Sequence, residues 1–270
     1  MPTGADPTLA EAETGQPAVM GFFDHLAELR RRLLFCLAAV AVCCLLGVMF
    51  WQEIYTFLSA PMSAAFAQAG LGDKRLIFTG PLVPIKFALQ VGLYAGLFLS
   101  APWIFWQVWL FVAPGLYRHE RRFVLPFILS SSGLFLAGAY FAHRVVLPLT
   151  MTFLLDFGRE MFEPLISVNE YFSLWLTMVL WMGVIFELPV FIFILSWLGL
   201  VTPGFLIHYL RHAVLGIVVA AAVITPTTDV FTLAVFAVPM VVLYLIGIGV
   251  SSVVTWRRSV AAARRAEAGR

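Results

Sequence analysis

Apolar residues run through this chain in long blocks separated by polar links. The blocks at 33–51, 85–110, 123–144, 172–195 and 230–254 each suffice to cross a bilayer, because about 20 helical residues span the ~30 Å hydrocarbon core. A sixth block, 212–224, is equally apolar but gives only about 20 Å of helix. The pattern predicts an all-α polytopic membrane protein with six transmembrane helices and therefore both termini on one side of the membrane.

The links carry their own patterns. Residues 1–20 are small, polar and acidic and read as a disordered N-terminal tail. In 21–32, Phe22, Phe23, Leu26 and Leu29 recur at helical spacing among Asp24, Glu28 and three arginines. That periodicity predicts an amphipathic helix lying at the interface and leading into the first span. Residues 52–84 form a long polar link holding a short helix at 53–69, expected to break near Pro61. Pro102 is expected to kink the second span. A short polar island at 111–122 then joins the second and third spans as the tip of a membrane hairpin. Residues 147–171 are an acidic loop, 196–211 a connector, 225–229 a tight turn and 256–270 a basic tail. The six-helix domain with its leading helix occupies 21–255.

Charge orients this scheme. On the side of the termini fall Arg30, Arg31, Arg32, Arg118, Arg121, Arg122, Arg211, Arg257, Arg258, Arg264, Arg265 and Arg270. The other side holds Lys74, Arg75, Lys86, Arg144 and Arg159 among more acids. The positive-inside rule places both termini and the 111–122 island in the cytoplasm.

Composition agrees: 61% of the residues are hydrophobic and 12% charged, against ~45–50% and ~25% in soluble domains. The net charge of +2 gives no reason to expect nucleic acid. Cys36, Cys43 and Cys44 share one apolar block without a metal-ligand spacing. No phosphate-binding loop, H-E-x-x-H or G-x-S-x-G motif occurs, so neither a cofactor nor a hydrolytic activity is expected.

Three carboxylates stand out. Glu187 lies inside the fourth span, where a charge costs roughly 2.5–3.5 kcal/mol on insertion scales. It must face a wet cavity, or be neutral and hydrogen-bonded to a partner. It is expected to line a concave, water-reachable pocket within the membrane, open toward a neighbouring helix, and Pro189 frees a backbone carbonyl nearby. Glu28 and Glu120 lie at the same membrane surface, each among arginines. Either they balance those arginines locally, or together they grip a dibasic ligand. Arginine suits such a ligand better than lysine because its fork meets a carboxylate with two parallel bonds. Two charge-assisted bonds supply roughly 3–6 kcal/mol, short of the ~8 kcal/mol of micromolar binding, so a second, apolar anchor is implied.

Four stretches carry a resemblance. His25 to Leu33, HLAELRRRL, resembles the H-L-x-E-L-R-x-R-L motif of the TatC family, the multispanning receptor subunit of the twin-arginine protein translocase. Phe111 to Arg122 is similar to that family's F-x-x-P-G-L-Y-x-x-E-R loop, with Pro114 in the tip. Phe186 to Pro189 resembles its F-E-x-P element, and Ile224-Thr225-Pro226 with Asp229 its I-T-P-x-D turn. Thr227 and Thr228 depart from the usual I-T-P-P-D and leave the register of Asp229 open. The resemblance implies that Glu28 and Glu120 contact the paired arginines of a signal peptide, with Arg30 and Phe111 shaping the site. It implies roles for Pro61 and Glu187 in assembly and transport. It implies TatA-like and TatB-like single-span partners, leaves self-association open, and implies export of folded proteins driven by the proton gradient across the cytoplasmic membrane. The rival reading is a secondary transporter using Glu187 as a proton or ion site; the absence of any similarity between the two halves of the chain counts against it.

Overall fold

The computed structural model describes residues 22–71, 76–112, 124–157, 161, 163–225 and 229–268. Ten α-helices fill nearly all of it: α1 (Phe22–Met49), α2 (Trp51–Gln68), α3 (Val83–Val112), α4 (Val124–Phe141), α5 (Leu147–Asp156), α6 (Val168–Phe186), α7 (Leu188–Trp197), α8 (Pro203–His208), α9 (Leu210–Ile224) and α10 (Val230–Ala268). Five stretches are long and apolar enough to cross a membrane: His25–Met49, Val83–Phe111, Leu125–Asp156, Val168–Trp197 and Val230–Val260. The shorter apolar helix α9 supplies the sixth. The tail 1–21, the island from 113 to 123 with Pro114 and Glu120, and residues 226–228 of the turn lie outside the described residues.

Several boundaries differ from the sequence expectation, each for a physical reason. The amphipathic segment and the first span form one helix, α1. Nothing between Leu29 and Leu33 breaks it, and Leu, Ala and Arg are strong helix formers. Pro61 does not break α2. Leu58, Pro61, Met62, Ala65 and Phe66 are buried at i, i+3, i+4, i+7 and i+8, so an unbroken packing stripe outweighs the ~3 kcal/mol cost of an internal proline. Pro102 lies inside α3, which runs through it without interruption, as a kinked rather than broken span requires. The acidic loop begins as helix: a π turn, Ala142–Val146, carries α4 directly into α5. The connector contains α8, capped by the Thr202 hydroxyl, which accepts from Phe205 N at 3.3 Å. The basic tail continues α10 to Ala268.

Two helix pairs with little side-chain volume between them position the functional groups. Along α1 and α3, a Cβ on Gly96 would lie 2.6 Å from Cys44 N, and one on Gly92 2.2 Å from a Val48 methyl. The second tight crossing joins α4 to α6, where a Cβ on Gly138 would meet Met182 O at 2.6 Å and one on Gly183 would meet the Phe135 ring at 2.8 Å. Small residues that let membrane helices approach closely replace the hydrophobic driving force absent in lipid. At the far end of the bundle from Glu28, a lone parallel bridge ties Ile77 to Ser167, with Ile77 N donating to Ile166 O and Val168 N to Ile77 O. Asp229 opens α10: Thr232 N donates to its Oδ1 at 2.6 Å. This gives Asp229 the geometry of a helix N-cap despite the altered turn.

Candidate functional site

The Cys44–Gly96 crossing sets the register of α1 on α3. About three turns toward the N-terminus of α1, and the same distance toward the C-terminus of α3, it brings Arg32 opposite Gln107. Arg32 Nη1 lies 3.5 Å from Gln107 Oε1. Arg32 also donates through Nε at 3.0 Å, and through Nη2, to Oε1 of Glu28 one turn back. The Glu28 Oε2 is buried and has no hydrogen-bond partner among the described residues. A buried carboxylate oxygen left unsatisfied costs about 1–3 kcal/mol or more, so it is a ready acceptor for a cationic donor.

A cavity of about 600 Å³ opens beside this carboxylate. Ala27, Glu28, Arg31, Arg32 and Phe35 line it from α1, Gln107 and Leu110 from α3. Arg31 sits over the Phe35 ring at 5.7 Å. At the end of α3, Phe111 stacks on His25 of α1, ring centroids 4.3 Å apart and planes inclined by 21°. The structure therefore brings Glu28 and Phe111 to one end of the α1–α3 pair. Arg30 is exposed and does not line the cavity; Arg31 and Arg32 do. Glu120 falls outside the described residues, though Val112, eight positions before it, ends the helix whose Leu110 forms a wall.

Glu187 interrupts the fourth span. It stands between α6 and α7, and its carbonyl accepts from both Val190 N and Phe191 N. Pro189 has no N–H to continue the α6 ladder, which explains the break there. The side chain is 5% exposed. Ser131 of α4 donates its hydroxyl to Glu187 Oε2, while Oε1 has no partner among the described residues. From sequence Glu187 is expected to line a concave, water-reachable pocket within the membrane; the structure instead encloses it, 5% exposed and hydrogen-bonded to Ser131. Ser131, Phe135 and Gly138 form one face of α4 at i, i+4 and i+7, and the close packing at Gly138 and Gly183 seats Ser131 against the carboxyl.

Sequence reasoning missed Gln107 and Ser131. Gln107 is a lone polar residue among apolar neighbours, and Ser131 is the middle of three consecutive serines; nothing local marks either one's partner. Their partners are 75 and 56 residues away. Among the described residues, no group of three or more His, Cys, Asp or Glu side chains gathers as a metal site would require.

Fold and site together define a class: an all-helical, polytopic membrane protein with a carboxylate-lined pocket at one end and a buried carboxyl in a broken span. The family model for the Sec-independent protein translocase protein (TatC) matches residues 24–239. The chain is 42% identical over 253 residues to the Sec-independent protein translocase protein TatC of Koribacter versatilis (strain Ellin345), covering 92% of each chain. It is 38% identical to that of Escherichia coli (strain K12), covering 87% of this chain and 88% of the relative. A crystal structure of a twin-arginine translocase receptor, TatC, superposes with a TM-score of 0.74 at 33% identity, covering 86% of this chain and 99% of that one. The chain belongs to the TatC family. It is a multi-pass membrane component of a Sec-independent protein translocase and not a catalytic enzyme. This membership displaces the secondary-transporter reading.

Proposed function

We propose that this protein recognises twin-arginine signal peptides at the cytoplasmic face of the cytoplasmic membrane. The observation that carries this reading is Glu28: a carboxylate with one oxygen paired to Arg32 and the other buried without a partner among the described residues, beside a cavity of about 600 Å³. An arginine guanidinium entering the cavity supplies the missing donors, and its fork suits a carboxylate better than an ammonium does. The second arginine of the pair goes to Glu120. Phe111 and His25 offer an aromatic surface beside the site, and Arg30 faces the surrounding surface. The apolar segment of the peptide supplies the membrane anchor that two ion pairs alone leave lacking.

In the same reading both termini are cytoplasmic, as the arginine distribution requires. The protein nucleates a translocase with TatA-like and TatB-like single-span partners, and the proton gradient drives export of folded cargo. Glu187 and Pro61 serve assembly: a partner span that parts the helices around Glu187 reaches its enclosed Oε1, unpaired among the described residues, with a polar side chain, and Pro61 shapes α2 at the opposite face. Site-specific photo-crosslinking tests the placement. A probe at Leu110 or at Glu120 should capture a paired-arginine signal peptide, whereas one at Val223, far along α9, should not. Capture at Val223 alone would refute the assignment.

A further inference from the structure

Opposite the Glu28 end, α2, α3, α4 and α6 enclose an apolar cavity of about 340 Å³ that peptide recognition does not use. Its deep wall is His143, 2% exposed, which stacks on Phe57 at 4.3 Å and accepts a hydrogen bond from Trp175 Nε1 at 3.1 Å. Its rim is formed by Leu99, Leu136 and Tyr140, which are 63%, 42% and 58% exposed. In a spanning segment, exposed apolar side chains face lipid. The cavity therefore opens sideways into the hydrocarbon.

Charge marks the same place. Arg144 lies 19 residues beyond Leu125, about 29 Å along the helix, close to the ~30 Å thickness of the hydrocarbon core. It stands at the boundary opposite the Glu28 pocket. Its side chain is exposed, and its Nε lies 3.4 Å from the Tyr140 hydroxyl. Among the described residues no carboxylate pairs with it. The π turn Ala142–Val146 buries His143 while leaving Arg144 outside, and such turns gather at functional positions. Tyr140 joins the two features, because its ring lines the cavity and its hydroxyl holds the guanidinium.

We propose that this end of the protein holds one glycerophospholipid, with an acyl chain in the cavity and its phosphate on Arg144. The volume equals a cube about 7 Å on edge, too narrow for a helix about 10–12 Å across but suited to a single chain. A guanidinium at the interface is the side chain that grips a phosphate with two parallel bonds.

Native mass spectrometry of the purified full chain, titrated with phosphatidylglycerol, with diacylglycerol of the same acyl chains and with glycerol 3-phosphate, tests this. Wild type should retain one phosphatidylglycerol in preference to either fragment. Arg144→Gln should weaken phosphatidylglycerol about tenfold, the loss of a charge-assisted contact, and leave diacylglycerol unchanged. Arg144→Lys should recover part of the loss. Leu136→Trp, which fills the mouth, should weaken both lipids. Paired-arginine peptide binding at the Glu28 end should be unaltered in all three variants, so a failure here is distinguishable from a failure of the peptide site. Unchanged phosphatidylglycerol retention in Arg144→Gln would overturn the proposal, and that exposed position decides the matter if Leu136→Trp fails to fold.

Discussion

Removing the Ser131 hydroxyl should damage this protein more than removing the Glu187 carboxyl, as judged by stability. The Glu187 side chain is 5% exposed, accepts one bond, from Ser131, and among the described residues has no partner for Oε1. Ser131→Ala leaves a buried carboxyl with neither oxygen bonded to a side chain. Interhelical hydrogen bonds in membranes are worth about 0.6–2 kcal/mol, and orphaning a buried acceptor costs about 1–3 kcal/mol. The expected loss for Ser131→Ala is about 1–2 kcal/mol. Glu187→Gln retains a carbonyl that accepts from Ser131 and should cost well under ~1 kcal/mol. Glu187→Leu removes the carboxyl, and the Ser131 hydroxyl left behind turns to a backbone carbonyl one turn back in α4, so stability should hold, while export falls because the acceptor a partner span would reach is gone. The assay is reversible unfolding in detergent for Ser131→Ala, Glu187→Leu and the double variant. A coupling energy of about 1–2 kcal/mol is expected from the cycle. Coupling indistinguishable from zero would refute the bond as an energetic link between α4 and the α6–α7 junction. Full export by Glu187→Leu would reduce the residue to a tolerated polar group.

Other expectations follow from the packing. Gly96→Ala puts a Cβ within 2.6 Å of Cys44 N and should destabilise by about 1–3 kcal/mol, the usual range for overpacking; Gly249→Ala, with open space around the site, should be neutral or stabilising by up to ~1 kcal/mol, and thermal melts compare the two. Asp229→Ala loses the bond from Thr232 N and should cost about 0.5–2 kcal/mol, with Asp229→Asn recovering most of it in the same melts. The 15 residues of α9 give about 22 Å of helix against a ~30 Å core, so cysteines placed within 210–224 should resist aqueous maleimide while one at His208 reacts. Protection extending through 208 would show that α8 lengthens the span and removes the mismatch.

Much of the architecture could be read from the sequence because lipid leaves few options: a long apolar block is a helix. The blocks at 85–110, 172–195 and 230–254 correspond to α3, α6–α7 and α10. Errors arose where a local rule met tertiary packing. Pro61 looked like a breaker, yet the i, i+3, i+4 burial stripe around it was present in Leu58, Met62, Ala65 and Phe66. The basic tail looked like an appendage, yet Ala and Arg propagate helix as readily as Leu does. Within the pocket, the Glu28–Arg32 pair follows from i, i+4 spacing. Gln107 does not, because it depends on the register of α1 on α3. That register is held by Gly92 and Gly96, whose spacing of four is a recognisable close-packing signal that hydropathy alone passes over. Ser131 is hidden for the same reason, behind Gly138 and Gly183.

The central claim is that the Glu28 pocket reads a guanidinium. Its most direct test is the affinity of a paired-arginine signal peptide for purified wild-type protein and for Glu28→Gln, measured beside the same peptide carrying Lys-Lys. Loss of one charge-assisted contact at about 1.5–3 kcal/mol predicts roughly tenfold to hundredfold weaker binding by Glu28→Gln. Lys-Lys should also bind wild type more weakly, although its formal charge is the same. Equal affinity of wild type and Glu28→Gln for the paired-arginine peptide would contradict the claim.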